Sequence, residues 1–220
     1  MNNNANITQP SVIVLFTRYP QAGKVKTRLI KRLGPQGAAN LHSRLTKQVI
    51  RKLQPILESG SVQLQISYCG GAKQEIQTWL GKDFQLVRQQ GHDLGERMRH
   101  AFEQVWQQEA DRVLLIGSDC PGINPALLEN GLERLKNHDV ILGPASDGGY
   151  YLIGLSARLA PRRQDYVNLF HNIDWGSGRV LKQTLAQLQK SNLPFALLPE
   201  LHDIDRPEDL IHLHYHTDPE

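Results

Sequence analysis

The sequence predicts an α/β protein, a three-layer α/β/α fold with a mostly parallel central sheet. Three observations predict it. Short apolar runs alternate with longer amphipathic stretches, the pattern of strands joined by crossover helices. One run, Val-Leu-Leu-Ile at 113–116, is apolar without a break, as a strand buried on both faces must be. Charged clusters follow the strands directly, where an open α/β sheet meets its ligands.

The elements follow in order. Val12–Phe16 reads as the first strand. In residues 36–53, Leu41, Leu45, Val49 and Leu53 recur every four residues, which marks one face of a helix. Val62–Tyr68 is the second strand. The loop GHDLGERM (91–98) feeds a helix that starts near Gly95; its free N–H groups could meet an anion or a base edge, or Asp93 is simply the cap of an ordinary loop. Val113–Ile116 is the central strand, and Asn124 before Pro125 gives a helix its cap and first turn. Val140–Leu142, Tyr151–Leu155 and Phe195–Leu198 read as further strands, with Val180, Leu181, Leu185 and Leu188 along one face of a helix over 178–190. Asp205 with Glu208 resembles a capping box before a last short helix. No Pro/Gly-rich linker divides the chain, so residues 11–220 are expected to be a single domain after a disordered tail at 1–10.

Composition excludes several classes. A chain of 220 residues with 40% hydrophobic residues and a formal net charge of +3 suits a soluble protein with a sizeable core. That charge fits anionic small ligands. No long basic tract with interleaved aromatics appears, so no nucleic-acid groove is expected. Cys69 and Cys120 are far apart and form no CxxC pair, which argues against a zinc knuckle or a disulfide framework. MNNNANITQP has no apolar core and does not read as a signal peptide, and no segment reaches the length of a membrane span. A reducing, cytoplasmic setting is expected. No exposed apolar seam fixes an oligomeric state.

The chemistry concentrates in five stretches. FTRYPQAGKVKTRL (16–29) places Arg18, Lys24, Lys26 and Arg28 around a Pro-x-x-Gly turn after the first strand. Four cations on one loop repel one another, so an anion is expected among them, and a nucleotide's phosphates suit the place; a solvated charged face is the plainer alternative. A Walker A loop is excluded because Arg18 and Val25 stand where that motif needs Gly and Ser or Thr. GSDCPGINP (117–125) puts Asp119 directly after the central strand. Mg²⁺ takes as few as one or two protein carboxylates when phosphates complete its shell, so a single Asp suffices; the alternative is that Asp119 only turns the chain. In HDIDRPEDL (202–210), Asp203 and Asp205 share a side if extended, and either could be the second ligand, although Asp205 is also placed as a helix cap. Asp147-Gly148-Gly149, between two strands, admits a close ligand or makes a hairpin turn. His212, His214 and His216 alternate near His202, but the expected helix scatters them, which argues against a metal site there.

Taken in order, Pro-x-x-Gly-x-Val-Lys-Thr-Arg-Leu, Leu-Gly-Glu-Arg-Met, Gly-Ser-Asp-x-Pro-Gly, Asp-Gly-Gly-Tyr-Tyr-Leu-Ile-Gly and Asp-Ile-Asp-x-Pro-Glu-Asp-Leu resemble the GT-A-like (Rossmann-like) transferase family assigned to arsenosugar biosynthesis as glycosyltransferases. The chain is similar, more distantly, to the molybdenum-cofactor and phospholactate guanylyltransferases. The likeness runs from about residue 11 to 210. It implies nucleotide binding by Arg18, Gly23, Lys26 and Arg28, with Lys24 and Thr27 of the same loop, and base or ribose contact near Leu94 and Gly95. It implies Mg²⁺ or Mn²⁺ on Asp119 with Asp205 close by, and a donor sugar or acceptor facing Asp147, Gly148 and Gly149. The Asp-x-Asp metal motif usual in GT-A proteins is absent, since residue 117 is Gly and 121 is Pro.

The expected reaction is metal-dependent transfer from a nucleotide-activated donor, foremost a nucleotide-diphospho-sugar, to a small-molecule acceptor. Lys26 and Arg28 would stabilise charge on the departing diphosphate. Asp147 is the candidate base, with Asp174 in reserve. The alternatives are nucleotidyl transfer from a nucleoside triphosphate to a phosphorylated acceptor with release of pyrophosphate, and a nucleotide-binding module without catalysis.

Overall fold

The computed structural model describes residues 10–215. The disordered tail expected at 1–10 lies, apart from Pro10, outside them, as does His216. Seven strands form one sheet in the order β3-β2-β1-β4-β6-β5-β7: β1 (Ser11–Arg18), β2 (Val62–Cys69), β3 (Gln85–Arg88), β4 (Arg112–Gly117), β5 (Val140–Pro144), β6 (Tyr150–Ser156) and β7 (Phe195–Leu197). Only β6 runs against its neighbours β4 and β5; every other pairing is parallel. Helices α1 (Ile30–Glu58), α2 (Lys73–Leu80), α3 (Leu94–Trp106), α4 (Pro125–Arg134), α5 (Arg163–Asn168) and α6 (Val180–Lys190) complete the three-layer fold. Among the described residues no helix is long and apolar enough to cross a membrane.

Alternation along the strands fills both faces, because successive side chains point to opposite sides. Val12, Val14, Val113 and Leu115 pack with Phe102 of α3 and Leu188 of α6. Ile13, Leu15, Leu114 and Ile116 pack on the other face with Val49 and Leu53 of α1 and Leu128 of α4. A smaller cluster, with Leu29, Leu41, Leu45 and Ile204 at its centre, joins the start of α1 to the chain after β7. That junction brings the first loop beside the last one.

The six expected strands are present. The helix expected over 36–53 runs from 30 to 58, broken at Gly34, where φ is +71° and Pro35 restarts it. Asn124 caps α4, its side chain accepting the Leu127 N–H at 3.0 Å. Asp93 caps α3, accepting the Glu96 N–H at 2.8 Å. The capping box of Asp205 and Glu208 is corrected. The last helix, Pro207–Tyr215, is 3₁₀, and the Asp209 carboxylate accepts the N–H groups of Asp205 and Arg206, at 2.9 and 2.6 Å. The Asp205 side chain is engaged elsewhere.

Candidate active site

The parallel strands β1, β4, β5 and β7 end at the same edge of the sheet, so the segments that follow them converge there. They are tied by backbone. The Ile204 N–H donates to the Asp119 carbonyl at 2.9 Å, and the Ser146 N–H to the Leu201 carbonyl at 3.0 Å. Lys52 of α1 holds the Pro121 carbonyl at 2.7 Å. The crevice thus has a rigid floor built from four separate stretches of sequence.

Lys26 is its centre. Its backbone is left-handed, φ 47° and ψ 43°, a conformation costing a non-glycine residue about 1 kcal/mol. The turn drives the side chain inward, where it is 3% exposed. Its Nζ lies 2.8 Å from Asp119 Oδ2 and 3.9 Å from Asp205 Oδ1. Arg28 is exposed and reaches Asp205 Oδ2 at 2.6 Å. Arg18, at the end of β1, donates to the Lys24 carbonyl at 3.2 Å. Lys24 and Thr27 are exposed, and Gly23 turns the loop at φ +79°. Part of the anionic charge expected among these cations comes from the protein itself: the carboxylates of Asp119 and Asp205 balance Lys26 and Arg28.

The acids differ. Burial alone would push the Asp119 carboxyl up, but the Lys26 ammonium and the His42 ring outweigh it and hold the group well below the usual carboxylate range. The side chain is 43% exposed, yet Oδ1 points inward, buried and without a hydrogen-bond partner. Burial and the facing Asp147 push Asp203 up to about 6, and Asp209 adds to the effect.

Two openings flank these acids. One, of about 270 Å³, is lined by Leu94, Asp119, Asp147, Tyr150, Trp175 and Asp203 among others. The other, of about 310 Å³, lies between Arg28, Ser146, Asp205 and Arg206 and shares Asp147 and Asp203 with the first. The site residues expected from sequence thus meet, with adjustments. Asp147 lines both openings, although its Oδ1 already accepts the Gly149 N–H at 2.8 Å. Gly149 lines the first opening, but the bare face of Gly148 lies against the Gly178 carbonyl, so its glycine serves packing. Leu94 is 43% exposed to the crevice. Gly95 is covered instead, because a Cβ there would sit 2.8 Å from Trp175 and from the Phe170 carbonyl oxygen. Asp174 pairs with Arg179 and is absent from both linings.

Sequence reading missed the aromatic wall of Tyr150 and Trp175, whose rings meet edge to face at 6.4 Å. Its signal was Gly95, a helix-start glycine that leaves room for an indole. It also missed His42, a polar residue on the inner side of α1. His202 and His212 do come together, stacked 4.1 Å apart, with His202 Nδ1 2.9 Å from Ser146 Oγ. No group of three or more His, Cys, Asp or Glu placed to hold a metal occurs among the described residues. A dication here would thus have Asp119 and Asp205 as protein ligands and draw the rest of its shell from substrate and water. The inward, unpartnered Asp119 Oδ1 fits that donor set.

The chain is 35% identical to a proposed nucleotide-diphospho-sugar transferase from Desulfovibrio desulfuricans G20; the match covers 93% of this chain and 86% of that one, with a TM-score of 0.84. It is 25% identical over 195 residues to the 2-phospho-L-lactate guanylyltransferase of Methanocaldococcus jannaschii, covering 87% of this chain and 78% of the relative. The manganese complex of Rv0371c from Mycobacterium tuberculosis H37Rv shares the fold, at 18% identity and a TM-score of 0.56 over 96% of this chain and all of that one. The first two of these proteins carry transferase names, the third shows the fold alone, and none reaches arsenosugar chemistry. The family described as "uncharacterized protein conserved in bacteria (DUF2064)" matches residues 49–177, more than half of the sequence, and the chain belongs to that family.

Proposed function

We propose that this protein is a nucleotide-using transferase and that the group it transfers is nucleotidyl, from a nucleoside triphosphate to a small acceptor. The observation that carries the reading is the meeting of Lys26, Arg28, Asp119 and Asp205 at the carboxyl edge of β1 and β4. The likeness to a guanylyltransferase over 87% of the chain supports the choice of nucleotidyl over sugar transfer. The acceptor oxygen bonds to the α-phosphorus, the bond from that phosphorus to the bridging oxygen breaks, and pyrophosphate leaves with the electron pair. Lys26 and Arg28 set positive charge beside the leaving group, the part of the reaction where charge grows. A dication held by Asp119 and Asp205 would neutralise the remaining phosphate charge; the manganese complex of a protein with this fold supports its use. The acceptor lies between Leu94, Tyr150 and Trp175. Asp147 takes a proton if the nucleophile is a hydroxyl, and a phosphate nucleophile needs no base.

Sugar transfer from a nucleotide-diphospho-sugar is the second reading, favoured by the Desulfovibrio relative. Calorimetry and product assays with nucleoside triphosphates and nucleotide sugars, with and without Mg²⁺ or Mn²⁺, separate the two. Dication-dependent triphosphate binding with pyrophosphate release is expected. Release of a nucleoside diphosphate from a nucleotide sugar would replace the first reading with the second. Nucleotide binding indifferent to metal, without turnover, would leave only a binding module.

A further inference from the structure

We infer that the first opening, which Asp119, Asp147, Asp203, Tyr150 and Trp175 help to line, is built for a hydroxyl ligand that carries no phosphate or carboxylate, so that the acceptor is a polyol or a sugar. The inference rests on the reading of this protein as a nucleotidyl transferase and names the acceptor class for it. The charged residues that line this cavity of about 270 Å³ are Asp119, Asp147 and Asp203; among the described residues no Lys, Arg or His lines it. The cations of the site lie elsewhere. Lys26 is 3% exposed against Asp119, and Arg28 and Arg206 line the second opening. Arg179, one position before the lining residue Val180, pairs with Asp174 at the surface.

That lining selects by chemistry. An ionised carboxylate only accepts hydrogen bonds, so its partner must donate. A hydroxyl donates, whereas an ionised phosphate or carboxylate only accepts and is repelled as well. Tyr150 and Trp175, whose rings meet edge to face at 6.4 Å, add a wall against which the C–H groups of a polyol can pack. Asp147 is held in place, its Oδ1 accepting the Gly149 N–H at 2.8 Å. An acceptor hydroxyl gives its proton to the Asp147 carboxylate as its oxygen bonds to the α-phosphorus, and pyrophosphate leaves with the electron pair. A phosphorylated acceptor would set a further anion among three carboxylates, with no cationic side chain in the lining to meet it. The triphosphate meets no such bar, because the arginines stand at the other opening. The inference sets this chain apart from the guanylyltransferase it resembles, whose name carries a phosphorylated compound.

The test reads the cavity first, without nucleotide. Trp175 fluorescence, taken as the difference between the full chain and Trp175→Phe at pH 8 and constant ionic strength, is quenched with iodide, an anion, and with acrylamide, which is neutral. Each is scaled to its effect on free tryptophan. Iodide is expected to be about fivefold less effective than acrylamide at Trp175, and Asp203→Asn to narrow that gap. Equal quenching by the two overturns the inference. If Trp175→Phe does not fold, iodide quenching of the full chain against Asp203→Asn decides, since Trp79 lies beside His42 and Trp106 beside Phe102, and neither lines the opening. Stronger quenching in Asp203→Asn then supports the inference and unchanged quenching rejects it. Turnover follows. Each ribonucleoside triphosphate is offered, with Mg²⁺, glycerol or glycerol 3-phosphate, glucose or glucose 6-phosphate, and 2-phospho-L-lactate. The uncharged member of a pair is expected to react about tenfold faster or more. A phosphorylated compound that outruns the uncharged ones overturns the inference, and where no acceptor reacts the quenching decides. A barrier to iodide in a chain that turns over no triphosphate removes the transferase reading and leaves the cavity's choice of ligand. Free entry of iodide in a chain that does turn over triphosphate removes this inference alone.

Discussion

The crevice has two walls, and each carries an acid under opposite pressure. On the wall built by β1, its loop and α1, Asp119 faces Lys26 and His42 and stays ionised far below the usual range. On the wall built by the β5–β6 hairpin and the chain after β7, Asp203 faces Asp147 and is pushed up to about 6. Both acids are drawn from water, so burial does not separate them; the sign of the nearest neighbour does. The first wall is complete as an electrostatic unit without any ligand. The second sets Asp203 against Asp147 and Asp209, a repulsion that a proton on Asp203 relieves. Two carboxylates set apart in this way mark a site that handles charge.

The comparison breaks most severely at Lys26. Lys26→Met keeps the buried stem and removes the charge that defines the first wall. If the ammonium meets the departing pyrophosphate, turnover is expected to fall roughly 100- to 1,000-fold. Steady-state kinetics with the nucleotide found by calorimetry would measure this. Turnover close to wild type would mean that the loop after β1 does not serve the leaving group.

The second wall breaks through its backbone. A Cβ on Gly148 would overlap the Gly178 carbonyl oxygen, and the residue sits at φ +87°, which alanine resists. The Gly148 carbonyl also accepts the Leu181 N–H at 2.9 Å, which ties the hairpin to α6. Gly148→Ala is expected to cost roughly 2 kcal/mol or more of stability. Denaturant titration would give the value. A loss under half a kilocalorie would mean that the hairpin can shift without strain, and that the wall is softer than its contacts imply.

The two walls were unequally legible in the sequence. The first was readable because its cues are local: an unbroken apolar run at 113–116 announces β4, and Asp119 follows it directly. Lys26 and Arg28 stood out as cations on a short turn. What the sequence concealed was their pairing. Asp205 lies 177 positions from Arg28, and its spacing to Glu208 mimicked a capping box that the distant ion pair overrode. The second wall depends on Trp175, which reaches the crevice only because Gly95 leaves room on another helix. Such contacts have no periodic signature. Strand β3, Gln-Leu-Val-Arg, escaped notice for a related reason: a four-residue edge strand needs no alternation of its own. Helix α2 was invisible because Ile76 is its only buried residue.

The gentlest test sharpens the comparison without breaking either wall. Asp203 has a folded pKa near 6 against 3.8 for an unperturbed carboxyl. Below pH 4 the group is protonated in both the folded and the unfolded chain, and its neutral form fits the wall. As pH rises from 4 to 6 the unfolded chain releases this proton first, so stability falls through that window and stays lower above it. Asp203→Asn removes the titration. The variant is expected to melt about 2 °C higher than wild type at pH 8 and to converge with it near pH 4, measured in chelator so that no cation masks the acid. The equivalent change on the first wall has the opposite sign, because Asp119 is stabilised as an anion and its replacement leaves Lys26 without its nearest counter-charge. An Asp203→Asn protein that gains nothing at pH 8 would mean that solvent already shields Asp203 from Asp147, and that the walls differ less in charge than in shape.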